Sequence, residues 1–142
     1  MVQGCLISPK ELEELNADNQ RKYAFSMASY VCQKFGIAPS IEINFRRMSK
    51  DPNYGYCCNL DDNEFEIDIK RTLRLRDMLT TLAHELVHVK QYVENTLDHS
   101  AEEEMEYWDR PSEIEAHGRE IGLFIRWAET NRLSHHKWTQ TN

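Results

Sequence analysis

Apolar residues return along this chain at helical spacing in three places. From position 74 to about 94, Leu75, Leu79, Leu82, Leu86, Val89 and Val93 step by four and three, which predicts one amphipathic helix with a continuous stripe. An earlier run, 9 to 35, opens with Ser8 as N-cap, Pro9 at the first helical position and Glu11 three residues after the serine. Tyr23, Met27, Tyr30, Val31 and Phe35 carry it to Gly36, a stop, so it predicts one long helix or two consecutive ones. The third run, RPSEIEAHGREIGLFIRWAET, predicts a helix with Ser112 or Asp109 near its cap and Ile114, Ile121, Ile125 and Ala128 as its buried face.

Two segments alternate at period two instead. IEINF (41 to 45) and FEIDI (65 to 69) predict strands, and YGYCCNL between them predicts a third. Asp61, Asp62 and Asn63 supply the turn that makes the second and third a hairpin. A polar, acidic link (95 to 109) joins the last two helices, and RLSHHKWTQTN near the end carries no usable pattern. The elements predict an α+β fold: N-terminal helices, a short, mainly antiparallel sheet, and two further helices.

A length of 142 residues favours one domain over the whole chain, 1 to 142, because it can bury most of its apolar surface around one core. No window approaches the roughly 18 uninterrupted apolar residues of a membrane span. MVQGCLISPKELEEL lacks a basic and an apolar signal region, and Cys5, Cys32, Cys57 and Cys58 form no CxxC pair. Reduced thiols in a cytoplasmic setting are the expectation. A net charge of -7 disfavours unspecific nucleic-acid binding, although Lys70, Arg71, Arg74 and Arg76 cluster against the acidic AEEEMEYWD. Two solvated faces of opposite sign account for that contrast.

The chemistry sits in TLAHELVHVKQY. His84 and His88 are four apart on the predicted helix, half a turn from the apolar stripe, and face a second surface with Thr81 and Tyr92. Two imidazoles at that spacing can meet one zinc ion, and Glu85 can reach a water beside it as general base. Chance produces an HExxH match in roughly 3 of 100 chains of this composition, so a metal site is the stronger reading. Catalytic zinc needs a third protein ligand. The extended HExxHxxGxxH pattern is excluded, since Gln91 and Glu94 stand where its glycine and third histidine belong. Glu113, Glu115, His117, His99, His135, His136 and Cys5 remain; a ligand on a second facing helix is better held than one on a loop, which favours PSEIEAH.

HELVH followed about 25 residues later by E-x-E-A resembles the gluzincin metallopeptidases, in particular the minimal ones and the ImmA/IrrE-type proteins of bacteria and phages, over roughly residues 41 to 128. That resemblance implies a small zincin-like fold, a protein or peptide substrate, a bacterial or phage-infected host cytosol, and Glu113 as third zinc ligand with His117 supporting a zinc-bound histidine. His117 as the ligand instead would give a three-histidine site like that of the SprT-type, DNA-associated proteases. An edge strand, FEIDI or its hairpin partner, would pair with extended substrate. Tyr92, one turn beyond His88, is a candidate oxyanion contact. QGCLIS is similar to the cysteine motif of peptide deformylases, but the glycine-rich motif of that family is missing. A regulatory protein that keeps the fold and zinc but recognises one partner is the alternative from another class.

Overall fold

The computed structural model describes residues 17–48 and 51–140. The predicted cap at Ser8 and Glu11, and Cys5, lie outside them. Helix α1 (Ala17–Phe35) turns Ala24, Met27 and Val31 inward and ends at Gly36, whose φ of 68° is a conformation glycine adopts without a Cβ penalty. Strands β1 (Ser40–Arg46), β2 (Gly55–Asp61) and β3 (Glu64–Lys70) follow, then α2 (Leu75–Val93), the short α3 (His99–Glu102) and α4 (Pro111–Thr130).

The sheet is mixed rather than mainly antiparallel. β2 and β3 form the expected hairpin, closed by Asn63 at φ 58°, but β1 pairs with β3 in parallel, giving the order β1-β3-β2. Alternation reveals that a strand exists and which face it buries; it carries no information about the direction of the neighbour. FEIDI is therefore the central strand, paired on both sides, and β2 is an edge. Phe65, Ile67 and Ile69 of β3 face the helices, while Glu66 and Asp68 on the other face hold Asn44 and Arg46, with Arg46 Nε 3.0 Å from Asp68 Oδ1.

Helix α2 is the hub, packed by α1, α4, β2 and β3. Leu79, Leu82, Leu86 and Val89 of the predicted stripe are buried, but so are Met78, Ala83 and Val87, so the second surface expected around the histidines is itself covered. At Gly55 an added Cβ would lie 2.8 Å from Thr81 Cγ2, so glycine is what lets β2 approach α2 this closely.

Helix α4 buries a different face from the predicted one. Ile114 and Ile121 are 57% and 40% exposed, Ile125 is half-buried, and of the four only Ala128 is buried; Ala116, Leu123, Phe124 and Trp127 fill the core with it. The helix is apolar on two sides, and hydrophobic spacing cannot choose between them. Its polar residues do: turning Glu113, His117 and Glu120 toward α2 leaves the isoleucines about a quarter turn away, on the side nearer solvent. At its start neither Asp109 nor Ser112 caps the helix; Arg110 occupies that position, and Glu102 of α3 accepts from Ser112 N at 2.9 Å and from its hydroxyl. The patternless tail also has a role, since Trp138 packs on Tyr23 and Phe124; within α4, Trp127 Nε1 donates to Ser26 Oγ of α1 at 3.0 Å. Among the described residues, no helix is long and apolar enough to cross a membrane.

Candidate metal centre

His84, Glu85 and His88 lie in the middle of α2, each less than a tenth exposed. One helical turn brings the two imidazoles to the same side, with ring centroids 4.9 Å apart. Helix α4 faces them. Its Glu113 reaches both rings at once: Oε1 is 3.0 Å from His84 Nε2 and Oε2 is 3.1 Å from His88 Nε2.

The far side of each ring is also fixed. Gln91 Nε2 donates to Ser112 O at 3.0 Å and to Glu115 Oε1 at 2.9 Å, which sets the amide so that its Oε1 accepts from His88 Nδ1–H at 2.8 Å. Glu120 Oε1 likewise accepts from His84 Nδ1–H at 2.8 Å. Both rings are thereby held with Nε2 turned to the Glu113 carboxylate. A lone pair facing a carboxylate oxygen at 3 Å is repulsive unless a cation, either protons or a metal, lies between them. Ligands about 2.1 Å from a tetrahedral zinc stand roughly 3.4 Å apart, so a few tenths of an ångström of expansion would admit the ion. Two imidazoles and one carboxylate also match the donor types zinc takes. His84, His88 and Glu113 could hold a metal ion; so could His84, His117 and Glu120, whose ligand atoms also all lie within 4.8 Å of one another. The second group would use the Nδ1 side of His84, away from the cleft described below. No such group among the described residues joins His117 to both His84 and His88.

The other sequence candidates are placed elsewhere. Glu115 bonds Gln91, Lys90 and Arg119; His99 Nε2 meets the Tyr92 hydroxyl at 2.9 Å; His135 and His136 stack on each other. Tyr92 lines the same cleft as the metal group, with its hydroxyl committed to His99. Glu120, Gln91 and Tyr107 were not singled out from the sequence as parts of the site. Glu113, His117 and Glu120 fall at i, i+4 and i+7, a helical face that was there to be read.

A cleft of about 610 Å³ opens onto this group, walled by Gly55 and Cys57 of the edge strand β2, by Tyr92 of α2, and by Tyr107. Glu85 points into it and makes no hydrogen bond or close ion pair among the described residues. Burial pushes its carboxyl above the usual range, only partly offset by His84 and His88. Burial also pushes the Cys57 thiol up, with the Glu85 charge adding to it, so that thiol is neutral rather than nucleophilic.

The imidazoles respond to their carboxylates. Burial opposes charging His84, but Glu113 and Glu120 on its two nitrogens outweigh it and push its pKa from 6.5 up to about 9. Burial would raise Glu113, yet hydrogen bonds from His84 and His88 hold it well below the carboxylate range. In the metal-free chain, His84 therefore contributes stability that is fully present below pH 6.5 and lost as the pH rises through about 9. A metal must displace that proton, so its affinity grows over the same window. The gap in Tm between metal-loaded and chelated protein should widen from pH 6.5 to 9. A constant gap in a thermal scan series would contradict the imidazoles as ligands.

No protein-family model matches the chain, and neither a curated protein nor a solved structure matches it.

Proposed function

We propose that this chain is a zinc-dependent metallopeptidase with a small zincin-like fold of the gluzincin kind. One observation carries the reading: two imidazole Nε2 atoms and a carboxylate converge at 3.0 and 3.1 Å, beside a buried glutamate that has no hydrogen-bond partner among the described residues and lies on the wall of an open cleft. His84, His88 and Glu113 would hold the ion, with Gln91 and Glu120 fixing the rings behind it. Zinc bound there would supply Lewis acidity, polarising a scissile carbonyl and lowering the pKa of a water.

The chain's own residues do the rest. Glu85 takes the proton of the attacking water and hands it to the leaving amine, a task suited to a carboxylate whose pKa burial has raised. Among the described residues, the edge strand β2 has an unpaired side along the cleft, where an extended peptide can add as a further strand. No covalent acyl intermediate is involved, so serine- and cysteine-directed reagents should leave activity intact, whereas a chelator should abolish cleavage of denatured casein and zinc should restore it. Inhibition by those reagents with none by the chelator would refute the mechanism.

A further inference from the structure

The sheet has a second edge, on the side away from the cleft. Its order is β1-β3-β2, so among the described residues β1 is paired on one side only. Ser40 N donates to Asn63 O at 2.9 Å and Arg46 O accepts from Arg71 N at 2.9 Å, so the even-numbered residues of β1 turn their main chain to β3. Ile41, Ile43 and Phe45 therefore point their N–H and C=O groups outward. Their side chains face the helices but are only half-buried, whereas Phe65, Ile67 and Ile69 beside them on β3 are buried. The other face of β1 carries Glu42, Asn44 and Arg46. Charged side chains commonly guard a free edge, and guards of one sign would keep copies of a chain apart. Here the signs are opposite. Glu42 is exposed and makes no hydrogen bond or ion pair among the described residues, while Arg46, 3.0 Å from Asp68, keeps 53% of its side chain exposed.

We propose that β1 is an interface with a second copy of this chain, the two β1 strands pairing antiparallel about a twofold axis at Asn44. This register sets Glu42 opposite Arg46 of the second copy, and Arg46 opposite its Glu42. Ile43 and Phe45 of the second copy become a hydrogen-bonded pair, because both turn their main chain outward, and their side chains cover each other's exposed part. Asn44 meets its own copy as a non-hydrogen-bonded pair. Sliding one strand by two residues loses the charge match, since Glu42 then faces Asn44 or Met48. The pairing makes one six-stranded sheet with a β2 edge, and so a cleft, at each end. The interface does not depend on the peptidase reading.

Sedimentation equilibrium of the full chain at up to about 100 μM should find dimer in exchange with monomer, as suits a contact this small. Glu42→Lys and Arg46→Glu should each weaken self-association by about tenfold or more, because each sets two like-charge pairs across the strands. An equimolar mixture of the two variants should recover dimer, since both cross-strand pairs are then of opposite sign. Cys58→Ser removes the exposed thiol of β2, and in that background Asn44→Cys should form an intermolecular disulfide under mild oxidation, its two Cα atoms lying about 4.5 Å apart. Glu42→Cys should not, because its copies would stand about 13 Å apart along the strands. A wild type that stays monomeric throughout would overturn the proposal, whether the edge is covered by another part of the chain or left to solvent. So would a dimer that both charge reversals leave intact, or one that Glu42→Cys cross-links as readily as Asn44→Cys. Should Arg46→Glu unfold on losing Asp68, Asn44→Cys decides alone: no cross-link above the background contradicts the interface.

Discussion

Glu85→Gln should remove peptidase activity by about 10²- to 10⁴-fold, the usual worth of a positioned general base, while leaving zinc content at the wild-type level. The substitution is nearly isosteric and breaks no hydrogen bond, because Glu85 makes none among the described residues. Its effect on folding should even be favourable: burial raises the carboxyl above its ordinary pKa, so at neutral pH the ionised form costs stability that a neutral amide does not. The expected signature is an inactive protein that still takes up zinc and whose Tm in the metal-free form is unchanged or higher. Retained activity would remove Glu85 from the mechanism, and a large drop in Tm would mean that it serves the fold.

Glu113→Gln separates binding from chemistry in the opposite direction. Here a carboxylate is shared by two imidazoles at 3.0 and 3.1 Å, and it is the one anionic member of the His84, His88 and Glu113 group. Replacing it with an amide should weaken zinc binding by roughly 100-fold or more, since even partners lying behind the ligands are worth about 10- to 100-fold. In the metal-free protein, His84 loses one of the two carboxylates that hydrogen-bond its ring, so its titration should move down from about 9. Chelator competition measures the first effect, and imidazole resonances followed by NMR against pH measure the second. Zinc affinity that survives the change would shift attention to His117 and Glu120, the other residues grouped with His84.

The local parts of this arrangement were legible in the sequence, and the long-range parts were not. His84, Glu85 and His88 are within one helical turn of each other, so spacing alone places the imidazoles on a common side. Glu113 is on another helix, and no periodicity relates it to His84; resemblance to the gluzincins supplied it. Glu120 could have been found from its spacing to Glu113 and His117, but the isoleucines of α4 suggested that a different face turns inward. Tyr107 gave no signal at all. It sits in an acidic link without periodic pattern, and only the turn into Pro111 brings it to the cleft. Strand direction failed for a similar reason: IEINF shows which of its residues face inward but not that FEIDI runs parallel to it.

Metal content tests the central claim most directly. Native mass spectrometry of the purified wild type, with His84→Ala alongside it, should show one zinc per chain in the first and none in the second. A wild type that carries no metal after zinc is supplied, or a His84→Ala variant that binds it as well as the wild type, would contradict the site.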